Sequence, residues 1–267
     1  MSAARPSGIV TWLTDFGTAD AYVGIMKGVA LGVHPQAQLV DLTHDIPPQA
    51  VAVGALVLRH AAPYFPDGTV HCAVVDPGVG SARVAVAVVT DRAVLVGPDN
   101  GLLAPAAEAL GGARAVLALE NAALFRHPVS HTFHGRDLFA PVAAHLARGL
   151  DPSDVGSPCA GLTPLALPEP LVGDTGVRGE VIYVDRFGNL LTNIGVDLLV
   201  AFRGQRLSVT VSDMPVAALV ATYAEAVPGA PVALVSSWGT LEVALRDGSA
   251  AAQLGVGCGA VVVVART

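Results

Sequence analysis

The hydrophobic positions of the first 150 residues follow two alternating spacings. Short apolar runs typical of buried strands are separated by longer stretches with helical spacing. The pattern predicts strands at 9–13, 38–42, 69–75, 84–90, 93–96 and 115–119, and helices at 21–33, 48–61, 102–110 and 137–148. Because the strands are continuous runs of Val, Ala and Leu, we expect helices to cover both faces of a sheet. The alternation predicts an N-terminal α/β sandwich domain over residues 1–151.

The pattern changes after residue 151. Residues 152–176 contain five prolines, no lysine or arginine, and no helical or strand period, which is typical of a linker. From residue 177 onward the apolar segments are shorter and alternate, at 180–185, 205–211, 232–236, 240–245 and 260–265. The second half therefore predicts a smaller C-terminal antiparallel β-barrel domain over residues 177–267.

Composition excludes several classes of partner. The 267 residues are 52% hydrophobic and 14% charged, which supports a well-buried core. The net charge is −7 and Lys27 is the single lysine, so we expect no nucleic acid partner. No apolar run approaches the roughly 20 residues of a membrane helix, and no leader peptide is recognised, so we expect a cytoplasmic protein without a membrane partner.

Nucleotide and metal sites have weak sequence support. The glycine-rich run 78–82 continues to Arg83 where a dinucleotide loop needs its third glycine, and Lys27 lacks the spacing of a phosphate loop. Histidines 127, 131 and 134 would align on a helix for a metal, but Pro128 disfavours a helix there. Solvated or hydrogen-bonded histidines are the favoured interpretation, and we expect no cofactor.

Acidic residues at strand ends are the better candidates for chemistry. Asp76 ends an apolar strand, and Arg83 begins the next strand after a glycine-containing turn, so the two charges can fold together. A structural ion pair that holds the turn is an equally weighted alternative. Asp15 and Asp45 could instead cap helices, and Asp185 could form an Asx turn.

Six short motifs occur in order along the chain. They are Thr14-Asp15-Phe16-Gly17 with Asp20, Asp41-Leu42-Thr43-His44, Val75-Asp76-Pro77-Gly78-Val79-Gly80, Gly97-Pro98-Asp99-Asn100-Gly101-Leu102-Leu103, Thr132-Phe133-His134-Gly135-Arg136-Asp137 and Val184-Asp185-Arg186-Phe187-Gly188-Asn189. Together they resemble the S-adenosylmethionine hydroxide adenosyltransferase family, relatives of the fluorinase and chlorinase. The resemblance covers the chain from about Val10 to Ala252.

The resemblance implies a fold, an assembly and a reaction. It implies an N-terminal α/β domain, a C-terminal β-barrel domain, and a homotrimer with active sites between the N-domain of one subunit and the C-domain of its neighbour. The implied reaction is hydrolysis of S-adenosyl-L-methionine to adenosine and L-methionine, without a cofactor.

The resemblance also implies roles for individual residues. Asp76, Arg83 and His134 stand where the family has its catalytic Asp, Arg and His, a set that the halogenating relatives lack. The implied substrate-binding residues are Asp15 at the ribose hydroxyls, Phe187 and Asn189 around the adenine, Asp185 near the methionine amino group, Ser237 near the methionine carboxylate, and Glu242 and Val243 in the adenosine pocket. Ser236 and Trp238 depart from the family pattern, which commonly has Asn before the serine and, in halogenases, Arg after it.

These residue types fit a nucleophilic substitution at C5′ of the ribose. Methionine leaves a sulfonium as a neutral thioether and needs no general acid, so the site must act on the water, whose pKa is about 15.7. A base such as Asp76, or cations such as Arg83 and protonated His134, would lower the cost of hydroxide. Which of the three residues takes the proton stays open. A halogenase is the alternative enzyme, disfavoured because the Asp76 carboxylate would repel a halide, and a non-catalytic sensor of the same ligand is the alternative binding protein.

Overall fold

The computed structural model describes residues 5–200, 202, 204–216 and 218–267, without the side chain of residue 218. Contacts divide the chain into two compact units, Met1–Ala166 and Leu167–Thr267. This division falls inside the segment 152–176 that the sequence assigns to a linker. The first part of that segment packs on the N-terminal unit, because Val155 is fully buried and its carbonyl accepts the backbone N–H groups of Glu120 and Asn121.

The N-terminal unit is built on one six-stranded sheet. Its strands are β1 (Ile9–Thr14), β2 (Gln38–Thr43), β3 (Thr69–Val74), β4 (Ala85–Val89), β5 (Ala93–Pro98) and β6 (Ala115–Ala118), in the order β2-β1-β3-β5-β4-β6. Strands β2, β1, β3 and β5 are parallel, whereas β4 is antiparallel to both of its neighbours. The carboxyl ends of β1, β2, β3 and β5 therefore meet at one edge.

Helices cover both faces of this sheet, as the continuous apolar strands predict. They are α1 (Tyr22–Val33), α2 (Val51–Ala61), α3 (Ala104–Ala109) and α4 (Ala140–Arg148). Trp12 of β1 belongs to the hydrophobic cluster under α1 and α4, and the next residue, Leu13, belongs to the cluster under α2 and α3. Alternate side chains of one strand thus supply two separate cores.

Two helices begin three residues later than the sequence pattern predicts. Helix α2 begins at Val51 instead of residue 48, because Gln49 has a φ of 67° and cannot belong to a right-handed helix. Helix α4 begins at Ala140 and is preceded by a π-helical turn, Gly135–Phe139. Asp137 lies fully buried in this turn, where Arg136 and Arg126 pair with its carboxylate.

The C-terminal unit is a barrel-like sheet. Its elements are β7 (Leu171–Gly173), β8 (Gly176–Val184), β9 (Leu190–Gly195), α5 (Val196–Val200), β10 (Leu207–Val211), β11 (Met214–Val216), β12 (Ala218–Leu219), β13 (Pro231–Val235), β14 (Thr240–Leu245), α6 (Ala250–Leu254) and β15 (Val261–Arg266). The strand order is β11-β10-β15-β8-β9-β14-β13-β12, with β7 on β8. Among the described strand pairs of this unit, β12–β13 is parallel and the others are antiparallel. Strand β10 also contacts β12, which brings the two ends of the sheet together. The predicted α/β and antiparallel barrel classes are confirmed.

The sequence pattern missed β9. Leu190 and Leu191 are adjacent apolar residues and both are buried, so this central strand does not show simple alternation.

Within the described part of the chain, no helix is long and apolar enough to cross a bilayer.

Candidate functional site

The carboxyl ends of β1 and β3 bring two predicted site residues to one edge of the sheet. Thr14 at the end of β1 pairs with Val74 at the end of β3, so Asp15 and Asp76 both follow that paired end. Asn100, which follows β5, donates from Nδ2 to the Val75 carbonyl at 2.9 Å. Three neighbouring strands therefore contribute to the same edge, where open α/β sheets place their ligands.

Arg83 connects Asp76 to His134. Its Nε lies 3.0 Å from each carboxylate oxygen of Asp76, and its Nη2 donates to Oδ2 and lies 2.8 Å from His134 Nδ1. The side chains of Asp76 and Arg83 are only 5% and 10% exposed. The guanidinium also lies 5.3 Å from the centroid of the Phe139 ring. The structure thus brings together the three residues predicted to be catalytic, although 51 residues separate Arg83 from His134.

A close backbone approach allows this cluster to form. Gly80 has a φ of +77°, and a Cβ at this position would overlap the carbonyl oxygen of His131. The turn between β3 and β4 can lie against the loop that precedes His134 because position 80 is glycine. Ser81 closes the same turn, since its hydroxyl donates to the Gly78 carbonyl at 2.6 Å.

The contact with Arg83 decides the protonation of His134. An arginine side chain has only donors, so His134 Nδ1 must accept and cannot carry a hydrogen. Burial, and then the positive charge of Arg83, lower the pKa of His134 below its usual value, which favours the neutral imidazole. The neutral ring carries its hydrogen on Nε2 and presents it as a donor. This geometry disfavours the protonated imidazole that the residue types alone allowed.

Within the cluster, Asp76 is the residue that can accept a further hydrogen bond. Its two oxygens accept three hydrogen bonds from Arg83, and a carboxylate has about four acceptor positions. His134 Nδ1 is occupied and Arg83 cannot accept. A proton that leaves an attacking water can therefore go to Asp76 or to solvent, but not to His134 while it contacts Arg83.

Asp15 is held at the same edge by a backbone donor. Its Oδ2 accepts the N–H of Gln49 at 2.8 Å, and the residue is half-buried. The N-cap positions of α1 and α2 are Ala21 and Ala50, so neither Asp15 nor Asp45 caps these helices. Asp15 therefore has a fixed carboxylate whose Oδ1 is available to a hydroxyl ligand.

The Asp41 motif supports the loop that carries Asp15. His44 Nδ1 lies 2.8 Å from the Thr14 hydroxyl, and Asp41 contacts both His44 and Lys27, at 3.0 and 2.6 Å. This network connects the end of β2 to the end of β1.

The C-terminal unit contains a groove of about 780 Å³. Its described lining consists of Asp185, Phe187, Asn189, Tyr223, Ala224, Leu245, Arg246, Asp247 and Gly248. Three predicted site residues lie in this lining, all from the turn between β8 and β9. The other six, at positions 223, 224 and 245–248, are residues to which the sequence assigned no binding role.

Asp185 organises the turn. Its Oδ1 accepts the backbone N–H groups of Phe187 and Asn189 at 2.9 and 2.8 Å, and its Oδ2 accepts Asn189 Nδ2 at 2.9 Å. The Asx-turn interpretation of Asp185 therefore describes its contacts. Because the Asn189 side-chain amide donates to Asp185, the Asn189 Oδ1 is the atom left to accept from a ligand. Phe187 is 76% exposed and offers an aromatic face.

The remaining predicted residues lie on or beside β14. Ser237 is exposed in the turn between β13 and β14, a turn in which Ser236 Oγ accepts the Trp238 N–H. Glu242 and Val243 are both buried on opposite faces of β14, and Val243 lies in the core of the unit. Neither Glu242 nor Val243 belongs to the described lining of the groove. Glu242 is connected to the groove by its hydrogen bond with Tyr223, which is a lining residue.

The histidine hypothesis for a metal finds no geometric support. His127 Nε2 lies 2.8 Å from the Ala122 carbonyl, and His134 contacts Arg83. Over residues 5–200, 202, 204–216 and 218–267, no group of three or more His, Cys, Asp or Glu side chains is arranged to hold a metal ion.

Two family profiles match this chain, one in each half. The profile of the SAM hydroxide adenosyltransferase N-terminal domain matches residues 10–156, and that of the C-terminal domain matches residues 179–263. This chain belongs to the SAM hydroxide adenosyltransferase family. The resemblance inferred from the six motifs is therefore confirmed.

Relatives of this adenosyltransferase-family chain have assigned activities. It is 44% identical to the (R)-S-adenosyl-L-methionine hydrolase of Salinispora tropica, over 94% of this chain and 95% of the relative, and 45% identical to that of Thermus thermophilus, over 92% and 95%. A fluorinase of Actinoplanes sp. is more distant, at 29% identity. The crystal structure of an uncharacterized conserved protein from Thermotoga maritima superimposes with a TM-score of 0.90 at 37% identity, covering 96% of this chain and all of the other.

Proposed function

We propose that this chain is an S-adenosyl-L-methionine hydrolase that forms adenosine and L-methionine. The observation that carries the proposal is the Asp76–Arg83–His134 cluster at the carboxyl edge of the sheet. The hydrolases of Salinispora tropica and Thermus thermophilus, each about 44–45% identical over nearly the whole chain, support the same activity.

The reaction is a substitution at the ribose C5′. The water oxygen forms a bond to C5′ while the C5′–S bond breaks, and the electron pair of that bond goes to sulfur, which leaves as neutral methionine. The water loses one proton, for which Asp76 is the acceptor within the cluster. His134 Nε2–H and the Arg83 guanidinium hold the oxygen and stabilise the negative charge that develops on it. Asp76 also keeps Arg83 in place for this role.

Different residues bind the ribose, the adenine and the methionine part of the substrate. Asp15 Oδ1 accepts from the ribose hydroxyls, since Oδ2 is occupied by Gln49. In the C-terminal groove, Phe187 offers its ring to the adenine, and Asn189 Oδ1 accepts from the 6-amino group. Asp185 binds the methionine amino group, and Ser237 binds its carboxylate, as the resemblance implies.

The relatives' names also specify one form of the substrate. Salinispora and Thermus proteins are each named for (R)-S-adenosyl-L-methionine. The L descriptor already defines the α-carbon, so (R) refers to the sulfonium. We extend this preference to the present chain, and separated sulfonium epimers in the same assay test it.

The reaction needs no metal in this proposal. The Arg83 guanidinium lies between the carboxylate and the imidazole that would otherwise be candidate ligands. Activity should survive EDTA treatment, and loss of activity that zinc or magnesium restores would contradict this part of the proposal.

The working form is proposed to be a homotrimer in the cytoplasm, as the resemblance and the composition imply. Light scattering should give about three times 27.0 kDa. Mixing Asp76→Ala subunits with Asn189→Ala subunits should restore activity if the active sites are shared between subunits. An active monomer would contradict the trimer.

Product analysis tests the function itself. Purified protein is incubated with S-adenosyl-L-methionine in separate buffers with and without chloride or fluoride, and the products are separated by chromatography. Adenosine and methionine in equal amounts support the proposal. A halogenated adenosine would support a halogenase, and binding without any product would support a sensor.

A further inference from the structure

Glu242 is a buried acid that has no cationic partner among the described residues. It is 4% exposed, and within the described residues no lysine, arginine or histidine forms an ion pair with it. Burial raises its pKa, and the negative charge of Asp185 adds to the effect. Buried acids are costly unless they are hydrogen-bonded, so the contacts of this side chain indicate why it is present.

Glu242 contacts an aromatic residue of the groove. The Tyr223 hydroxyl donates to Glu242 Oε1 at 2.7 Å. Tyr223 is 47% exposed and lines the groove together with Asp185, Phe187 and Asn189. One end of its ring is thus tied to β14 while the ring itself faces the groove.

A second side chain holds the same segment. Arg246, which directly follows β14, donates from Nη1 to the carbonyls of Ala224 and Ala226, at 3.3 Å each. Tyr223 begins the short 3₁₀ turn Tyr223–Glu225. Positions 242 and 246 therefore fasten this turn at its aromatic side chain and at its backbone, and the turn forms one wall of the groove.

We propose that Glu242 is a positioning residue that orients the Tyr223 ring as a wall of the nucleoside groove. This inference rests on the proposed function, because it assumes that the groove takes the adenosine part of the substrate. A ring that is already held loses less conformational freedom when a flat base stacks on it, so the hydrogen bond favours binding. Glu242 does not touch the reacting atoms, and the chemical step should not depend on it.

The substitutions separate the hydrogen bond from the charge and the ring. Glu242→Ala removes the acceptor, Tyr223→Phe removes the donor and keeps the ring, and Glu242→Gln keeps an acceptor oxygen of nearly the same shape. Calorimetric titration with adenosine gives Kd, and steady-state kinetics with S-adenosyl-L-methionine give kcat and KM. Tyr64→Phe and Glu169→Gln are the controls, since both residues are exposed and lie outside the groove.

We expect Glu242→Ala and Tyr223→Phe each to raise Kd and KM about tenfold, as for loss of one hydrogen bond to a carboxylate, with kcat within about twofold. Glu242→Gln should stay within about threefold of the wild type. The double variant Tyr223→Phe with Glu242→Ala should be no worse than the poorer single variant, because both remove the same contact.

Three results would overturn the inference. The positioning role fails if Tyr223→Phe binds adenosine as the wild type does, if the two substitutions add, or if kcat falls and KM does not change. In each case the wild type still hydrolyses its substrate and the proposed function stands. If the wild type neither binds adenosine nor hydrolyses S-adenosyl-L-methionine, the proposed function falls and takes this inference with it. Tyr223→Phe and Glu242→Gln decide the matter even if Glu242→Ala does not fold.

Discussion

Replacing Asp76 with asparagine tests whether the ion pair with Arg83 serves catalysis or only the fold. Asparagine keeps the shape of the side chain but removes its charge, and it places an NH₂ group against a guanidinium that can only donate. In the native cluster both side chains are nearly buried, at 5% and 10% exposure. The substitution therefore leaves a buried cation without its carboxylate.

The magnitude follows from that burial. Removing one partner of a buried ion pair costs about 3–5 kcal/mol of unfolding free energy. Because the Arg83 side chain retains some contact with solvent, we expect the lower end, about 3 kcal/mol, for Asp76→Asn. Turnover should fall at least about 100-fold, which corresponds to about 2.7 kcal/mol in the activation free energy.

The assay measures stability and chemistry on the same samples. Denaturant unfolding gives the stability change, and single-turnover kinetics at saturating S-adenosyl-L-methionine give the chemical step. Asp91→Asn is the matched control, because both carboxylate oxygens of Asp91 also accept from one arginine, Arg114, but at the surface, where the side chains are 47% and 55% exposed. This control should change neither the unfolding midpoint nor the rate.

One outcome would refute the catalytic reasoning. If Asp76→Asn loses stability as expected but keeps a near wild-type single-turnover rate, the pair with Arg83 is a structural ion pair. The role of activating the water would then have to lie elsewhere.

Three further predictions follow from the same geometry. Because burial and the guanidinium contact lower the pKa of His134, kcat/KM should stay constant from pH 8 down to about 6.5 and fall only below it, and a rise on acidification would contradict the neutral imidazole. Gly80→Ala, whose Cβ would overlap the His131 carbonyl, should lower kcat at least about tenfold without removing a functional atom, whereas Gly112→Ala, with a φ of +92° and no atom within 4 Å of its Cβ, should not. Burial lowers the pKa of His71 to about 4, so the unfolded state binds a proton that the folded state does not. The contribution of His71 to the unfolding free energy should therefore be fully present above pH 6.5, and the unfolding free energy should decrease by about 3 kcal/mol as the pH falls to 4. His71→Asn should show a smaller decrease in the same denaturant series.

The sequence by itself determined the classes of element and their succession. Apolar spacing identified the strands of the N-terminal sheet because a strand covered on both faces is a continuous apolar run, whereas burial along a helix repeats every third or fourth residue. The six ordered motifs pointed to the family, since each is a short local pattern. The alternating pattern used for the C-terminal half failed at β9, where two adjacent leucines are both buried.

The contacts within the candidate site could be determined only from the tertiary structure. Sequence spacing could bring Asp76 near Arg83 but could not show that His134 joins them, because that contact depends on Gly80 lying against the backbone of His131. It also could not decide which histidine nitrogen carries the hydrogen, since this is set by the arginine that reaches it.

The groove shows the same division. A resemblance placed Glu242 in the adenosine pocket, and the structure shows that its carboxylate accepts from Tyr223, a groove residue to which no motif pointed. The two positions lie 19 residues apart, on either side of β13, and strand pairing and a short turn bring them together. Periodicity records whether a side chain is buried, but the partner of a buried side chain is chosen by register and backbone approach, which local sequence does not encode.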